Sequence, residues 1–192
     1  MYCRNCGNEL KEDLTEEICY IRSVEDLVAF SKLVDNGNTF KNKIIELVNS
    51  LNFNMKRSYV SRKVDETLIS GEGFNPIGEA SSKYFEGTFE GDNNTIRGLY
   101  INMPETSYIA LFSSVNNGII QNLNLEDVNV TGYDSVSALT SSIVSSKIIN
   151  ININNLVLNS SNNLGGLVYS SKASNIEKIQ INNAILKSYG RF

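Results

Sequence analysis

The chain has 192 residues, of which 41% are apolar and 20% are charged, and its net charge is −4. This length and apolar content are enough to bury a hydrophobic core, so the composition excludes a disordered acidic tail. The acidic balance argues against nucleic acid as a partner, and the absence of His excludes Ser-His-Asp and Cys-His nucleophiles and every His-ligated metal site.

The sequence predicts no membrane insertion, because no stretch approaches the roughly 18 apolar residues that a spanning helix needs. Its first residues are polar and run into an acidic stretch over 9–17, which is unlike a secretory signal. We therefore expect a cytoplasmic protein if the sequence is taken as it stands, and a cell-surface location if it is a fragment of a larger exported protein.

Residues 1–22 carry all three cysteines. Cys3 and Cys6 form a Cys-x-x-Cys pair, and Cys19 could open a second pair whose fourth position is Arg22. Residues 2–10 resemble the first knuckle of a bacterial zinc ribbon, but zinc needs four ligands and Arg cannot be one. We interpret 1–22 as a degenerate zinc-ribbon-like segment and expect no cofactor. The alternative is a zinc site of Cys3, Cys6 and Cys19 completed by a carboxylate or a second chain.

Residues 23–107 begin with a predicted helix. Ser23 is a good N-cap, Asp26 follows at capping-box spacing, and Asn36-Gly37 is a C-cap signal. We expect this helix to cap the N-terminal edge of the repeats that follow it, because open strand edges invite aggregation. Lys43–Val48 is a predicted strand, and 54–73 lacks clean periodicity and predicts a long loop.

Irregular coils are predicted next. Residues 85–94 alternate apolar and polar side chains and then reach a turn. Ile96, Leu99 and Ile101 have the spacing i, i+3, i+5, which also begins at Ile120, about 24 residues later. This spacing predicts a coil shorter than those of the repeat region.

Residues 108–192 contain three copies of a pattern of about 28 residues. The first copy has apolar residues at Ile120, Leu123, Leu125, Val128 and Val130; the second at Ile148, Ile151, Ile153, Leu156 and Leu158; the third at Ile176, Ile179, Ile181, Ala184 and Leu186. Two polar columns follow the same step, Asn124–Asn152–Gln180 and Asp127–Asn155–Asn183.

The spacing within each copy indicates short strands separated by corners. On a helix, with about 100° per residue, the apolar positions would scatter around the axis. On strands the same positions alternate with polar ones, so the apolar side chains point to one side. Asn and Asp suit the corners because they tolerate left-handed backbone angles. Stacked copies would place Leu123 on Ile151 on Ile179 and bury a sufficient core, at roughly 1.5–3 kcal/mol per side chain. We predict an all-β fold, a parallel β-helix, and expect it to be right-handed.

Five segments follow one another in a fixed order, at residues 24–30, 37–40, 74–78, 87–96 and 109–112. This order resembles that of the GLUG-motif repeat proteins, and the similarity extends over about 20–192. The family's Gly-Leu-hydrophobic-Gly signature is eroded to Ala110–Ser113, Ala138–Ser141 and Gly166–Tyr169. The resemblance implies a bacterial β-helical repeat of the kind found in cell-surface and adhesin-like proteins. It implies no catalytic residues.

The repeat region offers few candidate site residues. Its acids are Glu126, Asp127, Asp134 and Glu177, and the columns of Glu126 and Asp127 become Asn in later copies. No paired carboxylates recur as a glycosidase would need, so we expect no enzyme activity. Tyr133 and Tyr189 lie two repeat steps apart and are candidate binding residues, although isolated surface tyrosines are the alternative interpretation.

The function expected from these observations is a non-enzymatic β-helical module for binding or display, related to adhesion. One alternative is a carbohydrate-binding or carbohydrate-active β-helix, and another is an intracellular scaffold with a zinc-ribbon-like tag. The ligand would be a protein or a glycan. The third copy ends without a cap sequence, so we expect either that the chain is a fragment or that copies associate end to end through the C-terminal coil; a polar end that covers its own edge is the remaining alternative.

Overall fold

The computed structural model describes residues 2–3, 17–57, 62–64, 67–69, 71–80 and 82–190. Its elements are β1 (Tyr2–Cys3), β2 (Ile18–Ile21), α1 (Val24–Asp35), β3 (Ile44–Leu47), β4 (Leu51–Asn52), β5 (Arg62–Val64), β6 (Thr67–Ile69), β7 (Glu72–Gly73), β8 (Thr88–Glu90), β9 (Thr95–Arg97), β10 (Tyr100–Met103), β11 (Phe112–Asn116), β12 (Ile119–Gly132), β13 (Thr140–Val144), β14 (Lys147–Ser160), β15 (Val168–Lys172) and β16 (Asn175–Ser188). They form a β-solenoid of about six turns, so the predicted β-helix is confirmed.

Two sheets run along the solenoid and stack its coils. The larger contains β2, β3, β8, β12, β14 and β16 as successive parallel rungs, and the smaller contains β11, β13 and β15, also parallel. The antiparallel strand pairs of the described residues are β1 with β2 at the N-terminal edge of the larger sheet, β7 with β10, and β5 with β6. Chain connections between parallel rungs therefore run around the solenoid.

The register of the three repeats is the one that the sequence predicts. Leu123 pairs with Ile151, which pairs with Ile179, and the polar Asn124 column stacks in the same way. The apolar columns point inward: the five residues predicted for the first copy and the five for the second are all at most 1% exposed. The third copy, at the C-terminal edge, leaves Ile176 39% and Leu186 47% exposed, whereas the equivalent Ile148 and Leu158 are 0% exposed.

Left-handed residues form the corners of each repeat coil. They recur five residues apart, at Asn117, Asn122 and Asp127 in the first copy, Ser145, Asn150 and Asn155 in the second, and Ala173, Lys178 and Asn183 in the third. The Asp127 column was predicted as a corner, and this is confirmed. The Asn122 column also lies in a predicted three-residue step between apolar positions, whereas the Asn117 column, which includes Ser and Ala, was missed because these residues do not mark left-handed backbone.

The helix α1 covers one end of the solenoid, on the side of the smaller sheet. Its capping box is formed as predicted, with Ser23 Oγ accepting from the Asp26 N–H at 3.2 Å and Asp26 accepting from the Ser23 N–H at 3.2 Å. Ser31 Oγ donates to the Asn75 carbonyl at 2.9 Å, and the neighbouring Ile77 bridges in parallel to Phe112 on β11. The helix therefore packs on the segment that lies beside β11 in the smaller sheet.

A cluster of phenylalanines joins the helix to the first coils. The Phe30 ring centroid lies 4.9 Å from that of Phe40 and 5.6 Å from that of Phe85, and Phe89 lies 5.3 Å from Phe112. All five side chains are at most 2% exposed. This aromatic cluster fills the core of the first coils beside the aliphatic column Leu51–Ile96–Leu125.

The coil before the repeats is longer than predicted. Ile96 pairs with Leu125 rather than Ile120, and Arg97 lies 29 residues before its bonded partner Glu126. The predicted spacing of about 24 residues is therefore wrong. The reason is that corners recur every five residues, so the i, i+3, i+5 spacing fits both Ile120 and Leu125, and the apolar pattern does not distinguish them.

The predicted loop over 54–73 contains short strands. β5 and β6 form a separate antiparallel pair, and β7 pairs with β10. β2, which lies inside the predicted segment 1–22, is the first parallel rung through its pairing with β3. Among the described residues no helix has the length and apolar character that crossing a membrane requires.

Candidate binding surfaces

A groove of about 400 Å³ lies on the outer surface of the smaller sheet and is lined by three tyrosines. We call it the tyrosine groove and define it by Tyr84, Tyr108 and Tyr169. Tyr108 is 42% and Tyr169 38% exposed, so both rings present surface to solvent. Such a concave surface combines apolar ring faces with polar hydroxyls, as small-ligand sites do.

Three separate chain segments bring these tyrosines together. Tyr84 directly precedes the buried Phe85, which bridges to Val115 on β11, so alternation turns Tyr84 outward. Tyr108 lies in left-handed conformation with φ 62°, fixed by its N–H donating to the Asp134 carbonyl at 2.9 Å. Tyr169 lies on β15 at the C-terminal rung.

A column of serines forms the polar floor of the groove. Ser114 pairs with Ser142, and Ser142 pairs with Ser170, so one hydroxyl lies on each rung at about 4.8 Å spacing. All three line the groove. The Ser142 and Ser170 hydroxyls make no hydrogen bond within the described part of the chain, so both can bond to a ligand.

The tyrosine groove is uncharged. Its remaining lining residues are Ala80, Asn116 and Val144, so no carboxylate, ammonium or guanidinium group contributes to its wall. Lys172 stands next to Val144 in the register, beyond the lining. Glu79 and Lys83, on the turn that carries Ala80, neutralise each other in an ion pair of 2.9 Å. The surface therefore offers ring faces, hydroxyls and an amide to a ligand.

A second groove, of about 430 Å³, follows the Asp127 corner column. It is lined by Arg97, Asp127 and Asn155, among others. Arg97 Nε donates to Glu126 Oε2 at 3.0 Å, and Asn155 Nδ2 donates to Asp127 Oδ1 at 2.9 Å. These polar groups already bond to one another across the coils, so this groove offers a ligand less than the tyrosine groove does.

The predicted binding residues Tyr133 and Tyr189 lie elsewhere. They are 47% and 71% exposed and occupy equivalent positions, directly after β12 and β16. Neither lines the tyrosine groove. The sequence pattern missed Tyr84, Tyr108 and Tyr169 because their offsets are not multiples of the repeat; the one usable signal was the alternation of Tyr84 with Phe85.

Two of the three candidate zinc ligands, Cys3 and Cys19, lie on the paired strands β1 and β2. Cys19 is buried on β2, and Cys3 lies opposite it in the antiparallel register of β1 and β2. Cys6 lies outside the described residues. In the described ranges, no group of three or more His, Cys, Asp or Glu residues could hold a metal ion. The expected absence of a cofactor therefore stays a prediction, with a zinc site at Cys3, Cys6 and Cys19 as its alternative.

The four acids of the repeat region bond to neighbouring side chains. Glu126 accepts from Arg97, Asp127 accepts from Asn155, and Glu177 accepts from Asn175. Asp134 accepts from the Asn163 backbone N–H at 3.0 Å and from its side-chain Nδ2 at 2.9 Å. Three of the four contacts join successive coils, which gives these carboxylates a structural role.

Comparison with known proteins gives two short matches. No family model and no solved structure matches the chain. It is 35% identical over 72 residues to Halomucin of Haloquadratum walsbyi, which covers 37% of this chain and 1% of that protein. It is 37% identical over 62 residues to a putative Gly-rich membrane protein of Evansella cellulosilytica, covering 32% of this chain and 7% of that protein. The chain thus spans a small part of the length of these relatives.

Proposed function

We propose that the chain is a non-enzymatic binding or display module of the adhesive, cell-surface type. The observation that carries this proposal is the tyrosine groove, an exposed concave surface built on a rigid stack of parallel rungs. The inward faces of the strands form the core, and the acids of the repeats bond to neighbouring side chains. The groups that the tyrosine groove presents to solvent are therefore suited to contact a ligand.

The surface location rests on resemblance. The order of segments resembles the GLUG-motif repeat proteins, which occur in cell-surface and adhesin-like proteins. One of the two relatives is named a membrane protein. Both relatives are far longer than the region they share with this chain, as expected when a repeat module forms part of a large assembly. We extend this arrangement to the chain as part of the proposal.

Binding and turnover can be separated in one experiment. The purified chain is immobilised and exposed to a panel of soluble polysaccharides and extracellular-matrix proteins, while released sugar ends and peptide fragments are measured in solution. We expect retention of at least one polymer without new ends or fragments. Release of new ends at a rate proportional to protein concentration, or retention of no polymer in the panel, would contradict the proposal.

A further inference from the structure

We propose that the tyrosine groove binds a neutral glycan chain that runs along the solenoid axis. This inference rests on the proposed binding function and names its ligand class. It assigns the ring-stacking contacts to Tyr84, Tyr108 and Tyr169 and the hydrogen bonds to the hydroxyls of Ser142 and Ser170.

The chemistry of the wall matches that of a sugar ring. A pyranose has apolar C–H faces and a rim of hydroxyls, so it needs flat apolar surfaces beside hydrogen-bonding groups. The tyrosine rings supply the flat surfaces, and each also carries a polar hydroxyl. The Ser142 and Ser170 hydroxyls, without a partner in the described chain, can both donate and accept.

The spacing of the wall matches a polymer of sugars. The serine column repeats once per rung, at about 4.8 Å, which is comparable to the length of one sugar ring in an extended glycan. A glycan chain parallel to the solenoid axis would therefore meet an equivalent hydroxyl at each successive sugar. A single isolated sugar would use one rung and bind more weakly.

The charge of the wall favours a neutral ligand. None of the residues that line the groove is charged, and the whole chain has a net charge of −4. An anionic polysaccharide would find no cation in the wall to replace its lost hydration and would be repelled by the net charge. A neutral glycan loses no ionic hydration and is not repelled by the net charge.

The position of the groove favours a glycan over an extended peptide. A peptide strand gains affinity by pairing with a free sheet edge. The groove lies on the face of the smaller sheet, where the rungs β11, β13 and β15 already pair with one another. Behind it, Val115 and Ile143 are at most 1% exposed, so the surface is backed by packed core and loses little entropy on binding.

The inference is tested by affinity electrophoresis of the 192-residue chain through gels that contain one polymer each. The neutral probes are hydroxyethylcellulose, laminarin and galactomannan, and the anionic probes are alginate and polygalacturonate. We expect at least one neutral polymer to retard the chain. Tyr169→Ala and Tyr108→Asn should each weaken this retardation about tenfold; Asn is chosen because it tolerates the left-handed backbone of position 108.

Matched variants control for fold and for nonspecific stacking. Tyr169→Phe keeps the ring and should retain most of the binding. Tyr133→Ala removes an equally exposed tyrosine outside the groove and should leave binding unchanged. Far-UV circular dichroism checks that each variant keeps the wild-type β spectrum, and a groove variant that loses it is replaced by Ser142→Leu and Ser170→Leu, which fill the floor.

Each outcome decides the inference. Retardation by anionic polymers alone, no retardation by any polymer, or undiminished retardation of the groove variants would overturn it. The proposed function would survive the first and third results, because the chain would still bind a polymer without turnover. After the second result, the proposed function is decided by the broader panel, which also contains matrix proteins. Cleavage of the retained glycan would instead refute the non-enzymatic function. The retardation of the groove variants would then still decide whether the three tyrosines contact the glycan.

Discussion

Asparagine supports the corners of the coils in two ways. It accepts the left-handed backbone, which costs most other L-residues about 1–2 kcal/mol. Its side chain also bonds to the equivalent corner on the next rung: Asn150 Nδ2 donates to Asn122 Oδ1 at 2.9 Å, and Asn155 Nδ2 donates to Asp127 Oδ1 at 2.9 Å. Both properties act in the Asn122 and Asp127 columns, which contributes to a sequence in which roughly one residue in seven is Asn.

Asn155 lies in the middle of one such ladder and makes the effect measurable. It has φ 58°, donates to Asp127 and accepts from Asn183 Nδ2 at 3.3 Å. We expect Asn155→Ala to lower the free energy of unfolding by about 2 kcal/mol, because it adds backbone strain and removes both bonds. Asn155→Gly removes the same bonds without the strain, so urea denaturation should show a smaller loss. Equal losses in the two variants would contradict the strain argument.

At the scale of elements, the helix and the repeat strands follow from local patterns, whereas the irregular coil does not. The capping box and the Asn36-Gly37 signal predict α1 because both ends have side-chain or backbone partners close in sequence. The apolar spacing of the coil before the repeats could not predict which residues of the first repeat it pairs with. Its turn has two left-handed residues, Asp92 and Asn93, where the repeats have one, and this insertion changes the step between rungs.

The N-cap of α1 gives a test at this scale. Ser23→Ala removes the acceptor for the Asp26 N–H, and such a loss costs about 1 kcal/mol. Because α1 places Phe30 in the aromatic cluster, we expect the loss to appear in global unfolding measured by urea denaturation. Ser23→Asp restores an acceptor at the same position and should recover most of the stability. A stability of Ser23→Ala equal to that of the wild type would show that the cap does not contribute.

At the scale of the molecule, the sequence predicts the stack of coils but not the tyrosine groove. The stacking follows from the repeat of about 28 residues, which appears when the sequence is aligned with itself. The groove depends on three tyrosines from a turn, a corner and a strand, at positions 84, 108 and 169, which come together only when the coils wind. Tyr133 and Tyr189 are the predicted binding residues because they share a repeat position. This criterion detects residues that stack in one column, and it misses a surface whose residues come from different columns.

The two ends of the solenoid differ, and this difference predicts how copies associate. β1 and α1 lie at the N-terminal end, whereas Ile185 and Leu186 on β16 are 53% and 47% exposed at the other. We propose that two such C-terminal rungs meet around a two-fold axis and close a dimer. We expect light scattering of the 192-residue chain to show a concentration-dependent dimer that Leu186→Lys shifts to monomer. A strict monomer at high concentration would contradict this prediction.

The central claim is the parallel register that places each residue of β12 beside the residue 28 positions later on β14. Asn129 and Val157 are paired in this register, so their Cα atoms lie about 4.8 Å apart, within the span of a disulfide. We predict that Asn129→Cys with Val157→Cys forms this disulfide under mild oxidation, identified by mass spectrometry of peptides cleaved at Lys147. Asn129→Cys with Asn159→Cys, two residues out of register, should not. Equal cross-linking of both pairs, or of the second pair alone, would contradict the solenoid.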